Sequence, residues 1–440
     1  MVKEIISLHK SGIPVGVPSL CSSNRLVLEA AMAFAAANHI PLLIESTSNQ
    51  VDQFGGYMGM TPPQFRVYVE AIAGKIKFPV DRITFGGDHL GPNTWQLKPS
   101  AAAMLNAKQL IESYVAAGFT KIHLDASMPC GGDGDNFNEE LIAARTAELC
   151  EVAEQTAKRT GNSQLPVYII GSEVPIPGGA QENIGELPIT KVDNVQATLE
   201  ITHREFYRRG LQDAWERVAG IVVQPGVEFG DDQVVRYNSN NAAALTAYIE
   251  TIPNIVFEAH STDYQSSIAL QQLVNDHFAI LKVGPWLTYA LREALLALAS
   301  IEEEIAACNA AIQSSHLSRA IEHVMNQYPQ YWVKHYHGSA EQIAIKKKFS
   351  YSDRIRYYWT MPELTDAVNT MLANLSRCNI PLTLLSQYLP NQYSAIFNNA
   401  IANTPTAIIY DKLSEVFHAY FNACHLLISS PMTISRPVHN

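Results

Sequence analysis

Eight short β-branched runs, each followed by a longer stretch of helical apolar spacing, fill roughly the first 300 residues of this 440-residue chain. The runs are Gly16–Ser19, Leu42–Glu45, Ile83–Asp88, Lys121–Asp125, Val167–Glu173, Gly220–Gln224, Ile255–Glu258 and Ala279–Val283. Between them lie segments such as Leu26–Asn38, Ala101–Ala117 and Asn138–Thr160, whose apolar residues recur every three to four positions. Eight β-then-α units are the period of an α/β fold of the (β/α)8 TIM-barrel type. The rival is a doubly wound open sheet, which usually has fewer strands and often a glycine-rich turn after the first. Here the first run leads into Cys21-Ser22-Ser23-Asn24, with no G-x-G-x-x-G.

The pattern predicts a barrel over residues 1–300 and a helical C-terminal extension over 301–440, packed on the barrel. Helical spacing recurs over Ala290–Ala311, Ser315–Tyr328, Met361–Arg377, Ala395–Asn403 and Ile408–Leu427, with no low-complexity linker. Lys346-Lys347-Lys348 reads as a solvated face. The Ser, Pro and Thr after Leu427 predict a loose tail.

Composition narrows the function classes. A 47% hydrophobic and 17% charged chain is globular. A net charge of −11 argues against nucleic-acid binding, which needs a basic footprint. No run of about 18 apolar residues predicts a membrane span, and Met1–Lys10 lacks a signal-peptide core. The six scattered cysteines form no C-x-x-C, so a reducing cytoplasm is the expected compartment.

Barrel active sites lie at the C-terminal ends of the strands. The predicted ends are Glu45, Asp88-His89, Asp125, Glu173, Gln224, Glu258-Ala259-His260 and Lys282-Val283-Gly284-Pro285, so seven of eight carry an ionisable or amide group. Asp88 and His89 follow Gly86-Gly87, whose glycines let backbone approach a ligand. Neighbours at a strand end point apart, so the two would do separate jobs: proton transfer for Asp88, metal ligation for His89. Glu258 and His260, at i and i+2, share one face and suit a divalent metal or a base with its orienting partner. Glu173 would be costly to bury unpaired, a cost a metal or substrate hydroxyls would offset. Asp125 and Glu45 follow the same logic. Lys282, Gly284 and Ser261 could bind a phosphate, as barrels often do near strands seven and eight. In the extension, Arg354 and Arg356 of Ser352–Trp359 would share a face if extended and suit phosphate, although an interface patch or a helix docking on the barrel is the slightly stronger reading there. No P-loop, H-E-x-x-H, G-x-S-x-G or EF-hand motif is present, so no nucleotide cofactor is expected.

Seven stretches together resemble one family. They are Glu45–Tyr57, Gly86–Asn93, Lys121–Ser127, Gln224–Phe229, Glu258–Tyr264, Leu281–Pro285 and Ser352–Trp359. The resemblance is to the GatZ/KbaZ family, the Z subunits associated with D-tagatose-1,6-bisphosphate aldolase, and it runs from Ile6 to about Tyr420. It implies a barrel related to class II aldolases, and a role supporting the activity and stability of a separate catalytic Y subunit in galactitol, N-acetylgalactosamine and tagatose breakdown. A kinase label attached to the family finds no nucleotide-phosphate loop to support it. Class II aldolases hold zinc with three histidines at strand ends, the first preceded by a catalytic Asp. Asp88-His89 matches that pair and His260 a second histidine; no third is evident at a strand end, and Glu173 is the nearest substitute. Zinc or another divalent metal is the cofactor class implied. The expected partners are the Y subunit and a small sugar phosphate, with a homo-oligomer left open and neither nucleic acid nor membrane involved. The alternative is that the chain itself is a metal-dependent ketose-phosphate aldolase, or a 4-epimerase working by retro-aldol cleavage.

Overall fold

A computed structural model describes residues 1–175 and 187–427. The stretch Ile176–Gly179 after Glu173, and the tail after Leu427, lie outside the described residues. Eight parallel strands close a barrel: β1 (Val17–Leu20), β2 (Leu42–Thr47), β3 (Ile83–Leu90), β4 (Lys121–Leu124), β5 (Val167–Ile170), β6 (Val218–Val222), β7 (Val256–Ala259) and β8 (Ile280–Val283). Each strand pairs with the next, and β8 returns to β1 in register from Val17↔Ile280 to Leu20↔Val283. A two-stranded hairpin, Glu228–Phe229 with Val234–Val235, follows β6 and has no counterpart among the predicted strands.

The barrel interior is divided by chemistry. Its lower end is apolar: Val17, Leu43, Ile169, Val256 and Ile280 pack there with Val2, Ile5 and Ile6 of the N-terminal helix Val2–Lys10, which plugs the bottom. The same inward rows, two residues further along, carry Ser19, Glu45, Glu258 and Lys282, all buried. Alternation thus turns an apolar floor into a charged layer beneath the mouth.

The extension is built into the barrel wall. Its last helix, Pro405–Ala423, packs between Arg25–Asn38, which follows β1, and Ser267–Asn275, which follows β7. Phe34 meets Phe417 and Phe421 with ring centroids 5.4 and 5.6 Å apart. The backbone N–H of Gly16, just before β1, donates to the Cys424 carbonyl at 3.1 Å. The helix leaving β8, Pro285–Cys308, instead runs out to carry the rest of the extension. The predicted Ala395–Asn403 helix is displaced: Pro390 opens the helix Pro390–Phe397, and Asn399 is left-handed just beyond its end. Among the described residues, no helix is long and apolar enough to cross a membrane.

Candidate active site

The cavity at the C-terminal mouth has a volume of about 430 Å³. Asp88, His89, His260 and Lys282 lie at its charged end, and Arg356, Tyr357 and Trp359 of the extension line its wall. The extension therefore completes the pocket.

The sharp end of β3 explains how two adjacent residues reach the same cavity. Extended neighbours point apart, but the pairing of β3 with β4 shifts register between Gly87 and Leu90, and His89 adopts φ +50°. This local kink brings both Asp88 and His89 to the pocket, a backbone outlier of the kind that collects at functional sites. The preceding glycines serve neighbouring protein rather than a ligand. A Cβ on Gly86 would sit 2.7 Å from Glu45 Cγ, so only glycine lets Glu45 lie across β3.

Asp88, His123, Glu258 and His260 form the central group: each offers one ligand atom, and those atoms lie within 4.8 Å of one another. His123 is the third imidazole that the strand-end reading missed. It stands two residues before Asp125, inside β4, and its ring lies 5.2 Å from that of His89 and 5.3 Å from that of His260. Its Nδ1 meets Asp88 Oδ1 at 2.9 Å. The His89 backbone N–H also points at this Nδ1, at 3.2 Å, and the buried Nε2 has no partner among the described residues. The Nε2 of His260 meets Glu258 Oε1 at 2.9 Å, so these two share a face as their spacing predicts.

Beneath this group lies a ring of buried ion pairs. Lys121 of β4 reaches Glu45 at 2.7 Å and Glu258 at 2.6 Å. Lys282 of β8 pairs with Glu45, with Asp88 at 3.0 Å and with Glu258 at 3.8 Å. Burial opposes charge on Glu258, yet Lys121 and Lys282 outweigh it and hold its carboxyl well below the usual range. For Asp88, His89 and Lys282 do the same. Burial dominates at His260 and pushes its pKa down to about 4, favouring neutral imidazole. His89 goes the other way: burial opposes its charge, but Asp88 and Asp125 raise its pKa. Its Nδ1–H donates to Asp125 Oδ2 at 2.8 Å; Asn93 Nδ2 (2.7 Å) and Ser127 Oγ (2.6 Å) fix that carboxylate.

These contacts sort the predicted residues. Asp88 falls in the metal-type group, and His89 lies beside it, oriented by Asp125. Glu45 is bound up in the ion ring. Glu173 lies outside the group: β5 ends at Ile170, and its carboxylate accepts from Thr190 Oγ1 and Asn194 Nδ2, each at 2.5 Å. Lys282 faces carboxylates from three strands and has no charge to spare. The Gly284 N–H donates to Asp263 Oδ1 at 3.0 Å, capping the helix after β8. Arg354 turns away, because Arg354–Tyr357 is a 3-10 turn and not extended; it donates to the Tyr331 carbonyl and meets His335 Nδ1. Arg356 and Ser261 line the cavity.

Two groups fit a divalent cation. Two lysines, Lys121 and Lys282, face three carboxylates, Glu45, Asp88 and Glu258, and a fourth carboxylate, Asp125, meets only the His89 imidazole, so the acids outnumber the lysines. His123 Nε2, without a partner among the described residues, offers a nitrogen ligand in the same place.

Residues 2–425 match the family model described as D-tagatose-1,6-bisphosphate aldolase subunit GatZ/KbaZ-like. This chain belongs to the GatZ/KbaZ-like family. A crystal structure described as a probable tagatose 6 phosphate kinase from Sinorhizobium meliloti 1021 shares 44% identity with this GatZ/KbaZ-like chain, covers 93% of it and 100% of its own length, and superposes with a TM-score of 0.85. The YdjI aldolase from Escherichia coli K12 is far more distant, at 11% identity and a TM-score of 0.41, covering 82% of this chain and 95% of its own. At that distance it carries no weight for function.

One acid beside the mouth yields a pH prediction. Glu228, in the hairpin after β6, is pushed up to about 7 by burial, which the Phe229 N–H and Ser261 hydroxyl only partly offset. A carboxyl raised above its unfolded value of 4.5 contributes stability below that value, and loses it as pH rises through about 7. Glu228→Gln is therefore expected to be near neutral at pH 4.5 and to stabilise by about 2–3 kcal/mol at pH 8.5. Urea melts at both pH values check this; equal effects at both would contradict it.

Proposed function

We propose that this GatZ/KbaZ-like chain acts within tagatose-bisphosphate aldolase as a subunit with its own metal-dependent ketose-phosphate site. The observation that supports this most directly is the closure of the Asp88–His123–Glu258–His260 group by His123, whose Nε2 has no partner among the described residues. Asp88, His123, Glu258 and His260 would hold a divalent ion, which when bound would polarise the ketose carbonyl and favour retro-aldol cleavage. The chain's own part is orientation and proton transfer. His89, aligned by Asp125 and with its pKa raised by Asp88 and Asp125, presents its Nε2 edge 3.6 Å from Asp88 Oδ2, where it can give or take a proton at a substrate hydroxyl. Lys121 and Lys282 hold Glu45 and Glu258 in one arrangement, so substrate meets a fixed set of groups.

Metal analysis joined to an aldol-cleavage assay tests the proposal. Purified protein without a Y subunit is expected to hold about one divalent ion per chain and to cleave or epimerise tagatose phosphates. Metal-free protein with no turnover after metal is supplied would overturn it. A second reading, in which the chain stabilises a catalytic Y subunit, draws on the family's description as an aldolase subunit. It expects higher activity or heat resistance of the Y subunit on mixing, and a mixture showing neither would count against it.

A further inference from the structure

The outer wall of the barrel carries a second cavity, at the opposite end from the mouth. Val218 opens β6 and Ile255 directly precedes β7, so the cavity lies at the N-terminal ends of the strands. It has a volume of about 360 Å³ and sits between the helices Val192–Arg208 and Ser239–Glu250, which follow β5 and β6. Its floor is apolar, made by buried Leu199, Val218 and Ile255.

The walls are aromatic. Trp215, on the short helix Gln212–Trp215, meets Phe206 and His203 edge-on, with ring centroids 5.6 and 4.9 Å away. Those contacts fix the indole where it lines the cavity. Tyr248, half-buried, lines it from the helix Ser239–Glu250. Aromatic faces are negative and attract cations.

The rim adds full charges. Glu200 and Glu216 line the cavity and are exposed. The arginines close to them in the chain are engaged elsewhere: Arg204 with Glu140, Arg208 with Glu205 at 2.7 Å, Arg209 with Glu151 at 2.9 Å and Arg217 with Glu154 at 2.6 Å. Glu200 accepts from a neutral group, Gln196 Nε2, at 2.7 Å. Among the described residues no lysine or arginine lines the cavity. Two carboxylates and two aromatic faces therefore surround one apolar bowl with no base of the chain's own beside them.

A guanidinium answers all three features. It is flat enough to stack on Trp215 or Tyr248, and its fork of donors matches a carboxylate. Carried on a side chain, it also brings methylenes to cover the apolar floor, which a small free cation would leave wet. A second copy of this chain is the poorer occupant, since each copy carries a net charge of −11 and the two repel.

We propose that this cavity receives an arginine side chain from a different, basic partner polypeptide. The inference is independent of the ketose site at the mouth. The experiment uses the full chain labelled with 5-fluorotryptophan at its five tryptophans, with the Trp215 fluorine signal assigned by its loss in Trp215→Phe. The probe is the blocked tripeptide Ala-Arg-Ala. It is expected to move the Trp215 signal saturably and leave the other four in place. The neutral citrulline analogue and methylguanidinium should each bind about fivefold or more weaker, the first for want of charge and the second for want of the stem. The double variant Glu200→Gln, Glu216→Gln should weaken the tripeptide by about fivefold or more, with the other four signals unchanged to show that it is folded. No saturable shift at millimolar tripeptide overturns the inference, as does equal binding of the citrulline analogue or an affinity that survives the double variant. Methylguanidinium binding as tightly as the tripeptide would assign the cavity to a free small cation and overturn the polypeptide. Sedimentation showing self-association that the double variant abolishes would place a second copy there and overturn it equally.

Discussion

His123→Ala is expected to release the bound divalent ion, from about one per chain to near none, and to lower aldol cleavage by about a hundredfold or more. The reason is local. His123 is the member of the group whose Nε2 has no partner among the described residues, while its Nδ1 meets Asp88 from the other side. Its removal takes one donor from the group and loosens a second. His89→Ala is the informative companion. His89 lies outside the four-residue group and is aligned by Asp125, so this variant should keep its metal and lose cleavage by about 10²–10⁴. Metal content by mass spectrometry and single-turnover cleavage separate the two. If His123→Ala keeps its ion and His89→Ala loses it, the assignment of roles proposed for these residues is reversed.

Why His123 was hard to see in the sequence is a matter of period. All eight barrel runs are legible as β-branched segments between helical ones, because burial on both faces demands apolar strands of that kind. The strand-end rule then draws attention to the last polar residue of each run, such as Asp125. It passes over the inward-facing residues one step earlier. In Lys121-Ile122-His123-Leu124 the polar residues alternate with apolar ones, and in β4 both Lys121 and His123 are buried. An alternating polar row in a barrel strand was the available signal. Glu258 and His260 were read correctly as sharing a face because the same i, i+2 logic was applied to them.

The converse errors have physical causes too. Glu173 appears at a strand end only if β5 runs on to it, but the strand stops at Ile170 and the acid belongs to the following loop. Arg354 and Arg356 share a face only in an extended chain, and Asp353 at positive φ turns that chain into a 3-10 helix, burying one arginine against Tyr331 and His335 and bringing the other to the pocket. Nor does any local pattern announce that the C-terminal helix would pack between the helices following β1 and β7. That placement depends on tertiary packing of Phe417 and Phe421 against Phe34.

The ion ring under the site carries the largest expected effect on stability. Lys121 is fully buried, and its two ion pairs join β4 to β2 and to β7 across the barrel interior. Removing one partner from a buried set is far costlier than the set's net contribution, since the charges left behind stay desolvated. Lys121→Met keeps most of the aliphatic stem and deletes the ammonium, which leaves three carboxylates, Glu45, Asp88 and Glu258, facing Lys282 alone. The expected loss is about 3–5 kcal/mol, read as a lower urea midpoint at unchanged slope. Adding Glu45→Gln to Lys121→Met removes one of the stranded charges and should recover part of that loss, since the two residues are in direct contact. A single variant within about 1 kcal/mol of the parent would mean that the carboxylates take up protons, or that a cation takes the place of the ammonium. The pH dependence of its melt decides between these, because protonated carboxylates would make the variant more stable in acid and an added cation would not. In either case Glu258 would lose the ammonium that holds it at 2.6 Å, and with it the geometry that presents His260 to the pocket.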